Sequence, residues 1–286
     1  SGSEQPRLLA ITIVSYSVLC WTGMAVYGHQ TWLQRAEIFS IIFAIFGRFS
    51  PLETNRSQGG PYLRPYGVGL LSRQPPSMSL TAFVVTMLAT VTFDGFMETP
   101  IWLEIKTGVL STASLVPSLL LVRGVFGNLD SVLETIGLMS APIAFLSVYL
   151  VTCWMISRID SIRGNRNSLS ITTIMAARWF VLSLVPIAIA YHLAHYLSYF
   201  LIAGQLFIPL LSDPLGLGWD LFNTASHRVN IGIINAKTVW HISIVVIVLG
   251  HVIAVYLAHV TALRVLEDRR RALASQWKKI ALMVGY

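Results

Sequence analysis

Apolar residues run along this chain in long stretches separated by short polar ones. They show neither the alternation of a half-buried strand nor the narrow stripe of a surface helix. A helix crossing the hydrocarbon core of a bilayer needs about 20 mostly apolar residues, a length that predicts crossings from about Leu8 to Tyr27, Ser79 to Trp102, Ser131 to Ser157 and Lys237 to Leu263. The segment from Trp32 to Phe49 is shorter and carries Arg35, Glu37 and Arg48, so it fits either a crossing or an interfacial or re-entrant helix. Apolar character then runs from about Ser170 to Leu211, about twice the length of one crossing. Pro186, Gly204 and Pro209 are candidate breaks in it. The pattern predicts a helix to about His195, then a piece that lies at the membrane surface or bends within protein. The fold expected is all-α, a polytopic transmembrane helix bundle of about six spans plus interfacial or re-entrant helices. Ser50–Met78, rich in Pro, Gly and Arg, reads as a long connection, and Glu104–Asp130, broken by Gly108, Pro117, Arg123 and Gly127, reads as an outer-surface stretch. Residues 1–266 are expected to form the transmembrane domain and residues 267–286 a basic cytoplasmic tail held by charge to anionic lipid.

Composition strengthens this picture. Hydrophobic residues make up 55% of the chain and charged residues only 12%, against about 25% charged in soluble domains. The apolar surplus has to face something other than water, and the partner implied is the lipid bilayer. The net charge of +7 does not point to nucleic acid, because the basic residues sit between apolar runs rather than among exposed aromatics. With both termini in the cytoplasm, Arg7, then Arg48, Arg56, Arg64 and Arg73, then Arg158, Arg163, Arg166 and Arg178, then Arg264, Arg269, Arg270, Arg271, Lys278 and Lys279 fall inside. Arg35, Lys106, Arg123, Arg228 and Lys237 fall outside, an asymmetry of the kind the positive-inside rule demands. Cys20 and Cys153 lie inside apolar segments and match no disulfide framework or metal spacing.

Ionisable groups within a membrane are costly, so each needs a reason. In this orientation Asp94 and Glu98, Glu134, His192 and His195, and His241 all fall near the outer ends of four separate helices. Asp94 and Glu98 are four apart and His192 and His195 three apart, each pair on one helical face. Imidazole and carboxylate suit a divalent or transition metal ion, and the expected ligands are Asp94, His192 and His195 with His241 or His251. Asp94, between Phe93 and Phe96, is also the candidate catalytic group. Plainer readings stand beside these. Glu98 and Glu134 lie close enough to the interface to be hydrated, His241 beside Trp240 fits an aromatic belt, and His251 fits a donor to a helix carbonyl. Asp213, Asp220 and His227 add polar groups in the loop after the fifth segment, and His259 lies about two turns beyond His251. No Gly-x-Ser-x-Gly, phosphate-binding glycine loop or His-Glu-x-x-His occurs.

Several short motifs are shared with a known family. They are Phe93-Asp94-Gly95 with Trp102, Ala194-His195-Tyr196, Gly204-Gln205, Ser212-Asp213-Pro214 with Trp219-Asp220-Leu221-Phe222, Gly250-His251-Val252 with Ala258-His259, and Phe46-Gly47-Arg48-Phe49-Ser50-Pro51. Together they resemble a family of bacterial polytopic membrane proteins that goes by the name fenitrothion hydrolase, after an organophosphate-cleaving membrane enzyme of two subunits. Longer members carry extra N-terminal helices, so the resemblance implies the larger, C-terminal-type subunit of a split pair, in the bacterial inner membrane beside a second membrane subunit. It implies hydrolysis of phosphotriester-like esters but supplies no catalytic residues; in the metal-site reading above, metal-bound water would attack phosphorus while Asp94 holds the metal or takes the proton. Two other classes remain open: a haem-binding or electron-transfer subunit with His195 and His251 as axial ligands, and an accessory or transport subunit of a larger membrane complex.

Overall fold

A computed structural model describes residues 6–55, 60–112, 128–163 and 171–266. The expected basic tail, Glu267–Tyr286, lies outside the described residues, as do residues 113–127 of the expected outer-surface stretch. The chain divides into two compact units, Ser1–Gly69 and Leu70–Tyr286. Among the described residues both are helical, apart from one two-stranded hairpin in the first. Five helical segments are long and apolar enough to cross a membrane, and the chain is a membrane protein.

The first unit contains helix α1 (Pro6–Tyr27), α2 (His29–Arg35) and α3 (Ile38–Gly47), then strands β1 (Leu52–Asn55) and β2 (Gly60–Leu63). The second segment expected from the sequence is therefore two short helices rather than one long one. The break has a local cause: Glu37 accepts hydrogen bonds from Phe39 N at 3.1 Å and Ser40 N at 2.5 Å, which caps α3 and starts a new helix. Tyr16 of α1 donates its hydroxyl to the same carboxylate. The expected connection Ser50–Met78 holds an antiparallel hairpin with Leu52 opposite Leu63 and Glu53 opposite Tyr62. Arg64 is ion-paired to Glu53 and donates to the carbonyls of Ser50 and Arg48.

The second unit contains α4 (Met78–Met97), α5 (Pro100–Ser111), α6 (Leu129–Arg163), α7 (Thr173–Phe180), α8 (Val185–Ala203), α9 (Phe207–Ser212) and α10 (Ala236–Val265). The third expected crossing ends at Met97, not Trp102. Thr99 caps α5 through Trp102 N and Pro100 occupies its first turn, so a new helix starts where a single one was expected. The long fifth segment remains helical from Thr173 to Ser212, with 3-10 turns at Val181–Leu184, just before Pro186, and at Gly204–Leu206. The expected end near His195 is thus corrected to Ala203, because the first helix breaker after Pro186 is Gly204.

The core of this unit lies where α4, α6, α7, α8 and α10 meet, around Val84, Val85, Ile156, Leu182 and Ile187. The tightest contact is between α8 and α10. Gly250, Ala254, Ala258 and Ala262 recur every four residues along α10, and all are buried. Lipid offers as much apolar contact as another helix does, so membrane helices associate through close backbone approach, which small residues permit. At Gly250 an added Cβ would stand 2.5 Å from Ala190 Cβ and 2.9 Å from the Pro186 carbonyl oxygen. Tyr149 on α6 donates to the Ala177 carbonyl of α7 at 2.7 Å, satisfying a buried hydroxyl.

Candidate functional site

Asp94 lies in the last turn of α4, and His195 and Tyr196 lie in the second half of α8. Packing of α4 on α8 brings the three together across about a hundred residues of sequence. Asp94 Oδ2 accepts from His195 Nε2 at 2.8 Å and from the Tyr196 hydroxyl at 3.2 Å. The His195 and Tyr196 rings meet edge to face, 4.8 Å between centroids. The side chains of His195 and Asp94 are 26% and 41% exposed, so the pair is only partly enclosed by protein. Phe93 and Phe96, either side of Asp94 in sequence, each meet Trp102 edge to face.

This geometry sets the imidazole's chemistry. With Asp94 as carboxylate, His195 carries its proton on Nε2 and keeps a lone pair on Nδ1. Nδ1 faces α4 at Gly95, where an added Cβ would stand 3.9 Å away.

The other expected ligands are held differently. His192 Nδ1 donates to the Ala188 carbonyl at 2.7 Å, His241 Nδ1 to Lys237 at 2.6 Å and His251 Nδ1 to Ile247 at 2.8 Å. In each case the partner is the carbonyl one turn back on the histidine's own helix. Of the expected set Asp94, His192, His195 and His241 or His251, Asp94 and His195 are the two joined by a hydrogen bond. Among the described residues no group of three or more His, Cys, Asp or Glu side chains is placed to hold a metal ion.

The remaining acidic groups resolve individually. Glu134, expected to be merely hydrated, faces Lys106 of α5 at 3.5 Å, and Asp130 faces the same ammonium at 3.5 Å. Glu98 is exposed at the end of α4. The loop motif around Asp213 and Asp220 is architectural. Asp213 accepts from Leu217 N and Gly218 N, both at 2.8 Å, and Asp220 from Ala225 N at 3.0 Å. Buried Ser212 bonds Thr224 Oγ1 at 2.7 Å, and Gln205 clasps Asn230 through its carbonyl at 3.0 Å and its N–H at 2.8 Å. These side chains are occupied in folding the loop, which accounts for Gly204-Gln205 and Ser212-Asp213 without any catalytic role.

Tyr196 is the residue that sequence reasoning missed. It stands in the quoted Ala194-His195-Tyr196 motif, and adjacency to His195 was the signal available. Comparison of the chain with models of known protein families, with curated proteins and with solved structures found no match in any of the three.

Proposed function

We propose that Asp94, His195 and Tyr196 form an acid–base site for hydrolysis of esters of the phosphotriester class. The observation that carries this reading is the 2.8 Å bond from His195 Nε2 to Asp94 Oδ2, partly exposed and joining two membrane helices. Asp94 orients the imidazole and stabilises the imidazolium that forms, as the carboxylate of a hydrolytic triad does. His195 Nδ1 takes a proton from water as the water oxygen attacks phosphorus, and the ester oxygen leaves with the bonding pair. Tyr196 shares the Asp94 oxygen and keeps that carboxylate in place. Support for the ester class comes from the sequence resemblance, and support for the base comes from geometry.

The test is hydrolysis of a dialkyl p-nitrophenyl phosphate by the protein in lipid nanodiscs. His195→Gln is expected to lower the rate at least about a hundredfold, and Asp94→Asn to lower it and move the pH profile. Equal rates for wild type and His195→Gln would overturn the proposal. A metal-dependent version has one observation in its favour. His241 donates from Nδ1 to the Lys237 carbonyl, the arrangement in which Nε2 serves as the ligating nitrogen of a metal-bound histidine. Loss of hydrolysis on chelation, restored by one divalent ion, would select it. The haem reading is weaker, since His195 engages Asp94 through Nε2 and an axial bond there would break that contact.

The localisation proposed is the bacterial inner membrane, with the Arg264 end of α10 on the cytoplasmic side. Five crossings place the two ends of the described chain on opposite sides, so Pro6 lies outside. Relative to the six-span scheme this only exchanges Arg7 with Arg35, and the excess of basic residues inside is unchanged. A reporter fused ahead of Pro6 decides the matter: external activity supports five crossings, and cytoplasmic activity restores six. A second membrane subunit belongs to the same reading through the resemblance alone, and isolation from native membranes as a lone chain would remove it.

A further inference from the structure

At the end of the second unit, a cavity of about 580 Å³ opens between the segment leading into α4, the start of α7 and the end of α10. Ser72, Arg73 and Arg264 supply its polar wall, and Ile171, Met175 and Trp179 its apolar one. The strand of chain leading into α4 is pinned against the bundle. Arg178 donates to the carbonyls of Pro76 at 2.6 Å and Pro75 at 3.3 Å, and Arg264 Nη1 donates to the Leu71 carbonyl at 3.4 Å. These bonds hold Arg73 and Arg264 at the same mouth. Among the described residues neither forms an ion pair, and no carboxylate lines the cavity. Among the described residues, then, two guanidinium groups stand without a carboxylate partner beside an indole and two aliphatic side chains.

We propose that this cavity binds the headgroup of an anionic phospholipid. Guanidinium is the side chain best matched to a phosphate diester, giving paired N–H···O bonds to two oxygens. Arg264 keeps further N–H donors after its bond to Leu71, and Arg73 retains its whole set. The volume lies in the range that accommodates a drug-sized ligand, room for a phosphate with its glycerol rather than for an inorganic ion alone. The apolar wall would lie against the glycerol and upper acyl chain. A free phosphate has no use for that wall, whereas a lipid presents both chemistries at the depth where the helices end. Basic pockets between membrane helices select anionic headgroups on these grounds. The lipid would clamp α4, α7 and α10 at the end of the bundle opposite Asp94 and His195, so the proposal stands independently of the acid–base site.

Native mass spectrometry of the protein, loaded in turn with phosphatidylglycerol and phosphatidylcholine of the same acyl chains, tests it. Wild type is expected to retain one phosphatidylglycerol in preference to phosphatidylcholine. Arg73→Gln with Arg264→Gln is expected to weaken that retention by roughly tenfold or more, from two basic contacts. Arg73→Gln alone, at an exposed residue with no partner among the described residues, keeps the test valid if loss of Arg264 disturbs folding. Arg264→Lys should restore part of the preference. Inorganic phosphate at millimolar concentration is expected to leave the bound lipid in place. Equal retention of the two lipids, equal retention by wild type and Arg73→Gln, or displacement by inorganic phosphate would each overturn the proposal.

Discussion

Helix α1 and the segment Thr173–Ser212 have the same mean hydropathy, yet 6% of the most apolar window of the first is buried within the protein, against 67% of the second. The difference lies in which residues share a face. Helix α1 carries exposed large side chains such as Ile13, Val14 and Trp21, and its small residue Gly23 is buried where Trp32 of α2 approaches. The second segment mixes Ala176, Ala177, Ala188 and Ala190 among its large residues, and those alanines are buried. Small residues are buried where a neighbouring helix comes close. The histidines follow the same division. His192 and His195 lie on the packed segment, and α1 has no ionisable residue between Thr12 and Tyr27 other than Tyr16 and Cys20.

The most direct way to break this comparison is to delete matched methyl groups in the two segments. Ile187→Ala, at a position 1% exposed, is expected to destabilise by about 2–5 kcal/mol. Ile13→Ala, at 57% exposure, should fall within about 0.5 kcal/mol. Thermal midpoints in one detergent measure both, and equal losses would mean that α1 is packed after all. The role of small residues is sharpened at Gly250, where Gly250→Leu would drive a side chain into Ala190 and Pro186. A loss of about 1–3 kcal/mol is expected, whereas Gly108→Leu, with open space around it, should be nearly neutral.

A smaller effect is expected at the polar pair. Asp94→Leu removes one hydrogen-bond acceptor of a partly exposed ring, so the loss should be about 1 kcal/mol. Asp94→Asn, which keeps an acceptor oxygen, should be milder in stability while still altering the pH profile of hydrolysis. The smallest effect belongs to the hairpin. The Tyr62 hydroxyl, and after it the Arg64 guanidinium, hold the exposed Glu53 carboxyl below its ordinary value. A carboxylate lowered in the folded state contributes stability above its unfolded value and loses it as pH falls through the folded one. Amide exchange in Leu52–Asn55 and Gly60–Leu63 should therefore quicken, relative to its intrinsic rate, only below about pH 4, and Glu53→Gln should abolish that dependence.

Much of the architecture was legible because crossing a membrane is close to an additive property. Transfer of about 20 apolar residues into lipid depends on their sum, and a helix satisfies its own backbone hydrogen bonds wherever it goes. Four of the expected crossings stand within a few residues of their predicted places for that reason. The breaks at Glu37 and at Thr99-Pro100 escaped a reading based on apolar length, although the capping residue of each, and Pro100 beside one of them, were in the sequence. The order of small residues Gly250, Ala254, Ala258 and Ala262 was also in plain sight as a packing signal.

Which polar groups meet was not written in spacing. His192 and His195 share a helical face by sequence, yet one donates to its own helix and the other crosses to Asp94. A histidine on a helix always has the carbonyl one turn back within reach, and only the approach of a second helix with a carboxylate at the same height can outcompete it. That height depends on how α4 packs on α8, a many-residue outcome of side-chain volumes. In the same way Arg73 and Arg264 are separated by nearly two hundred residues, and only the packing of α4, α7 and α10 brings them to one mouth. The sequence by itself determined that this chain partitions into lipid as helices. Tertiary structure decided which of its few charges face each other, because pairing depends on distance across helices and hydropathy does not.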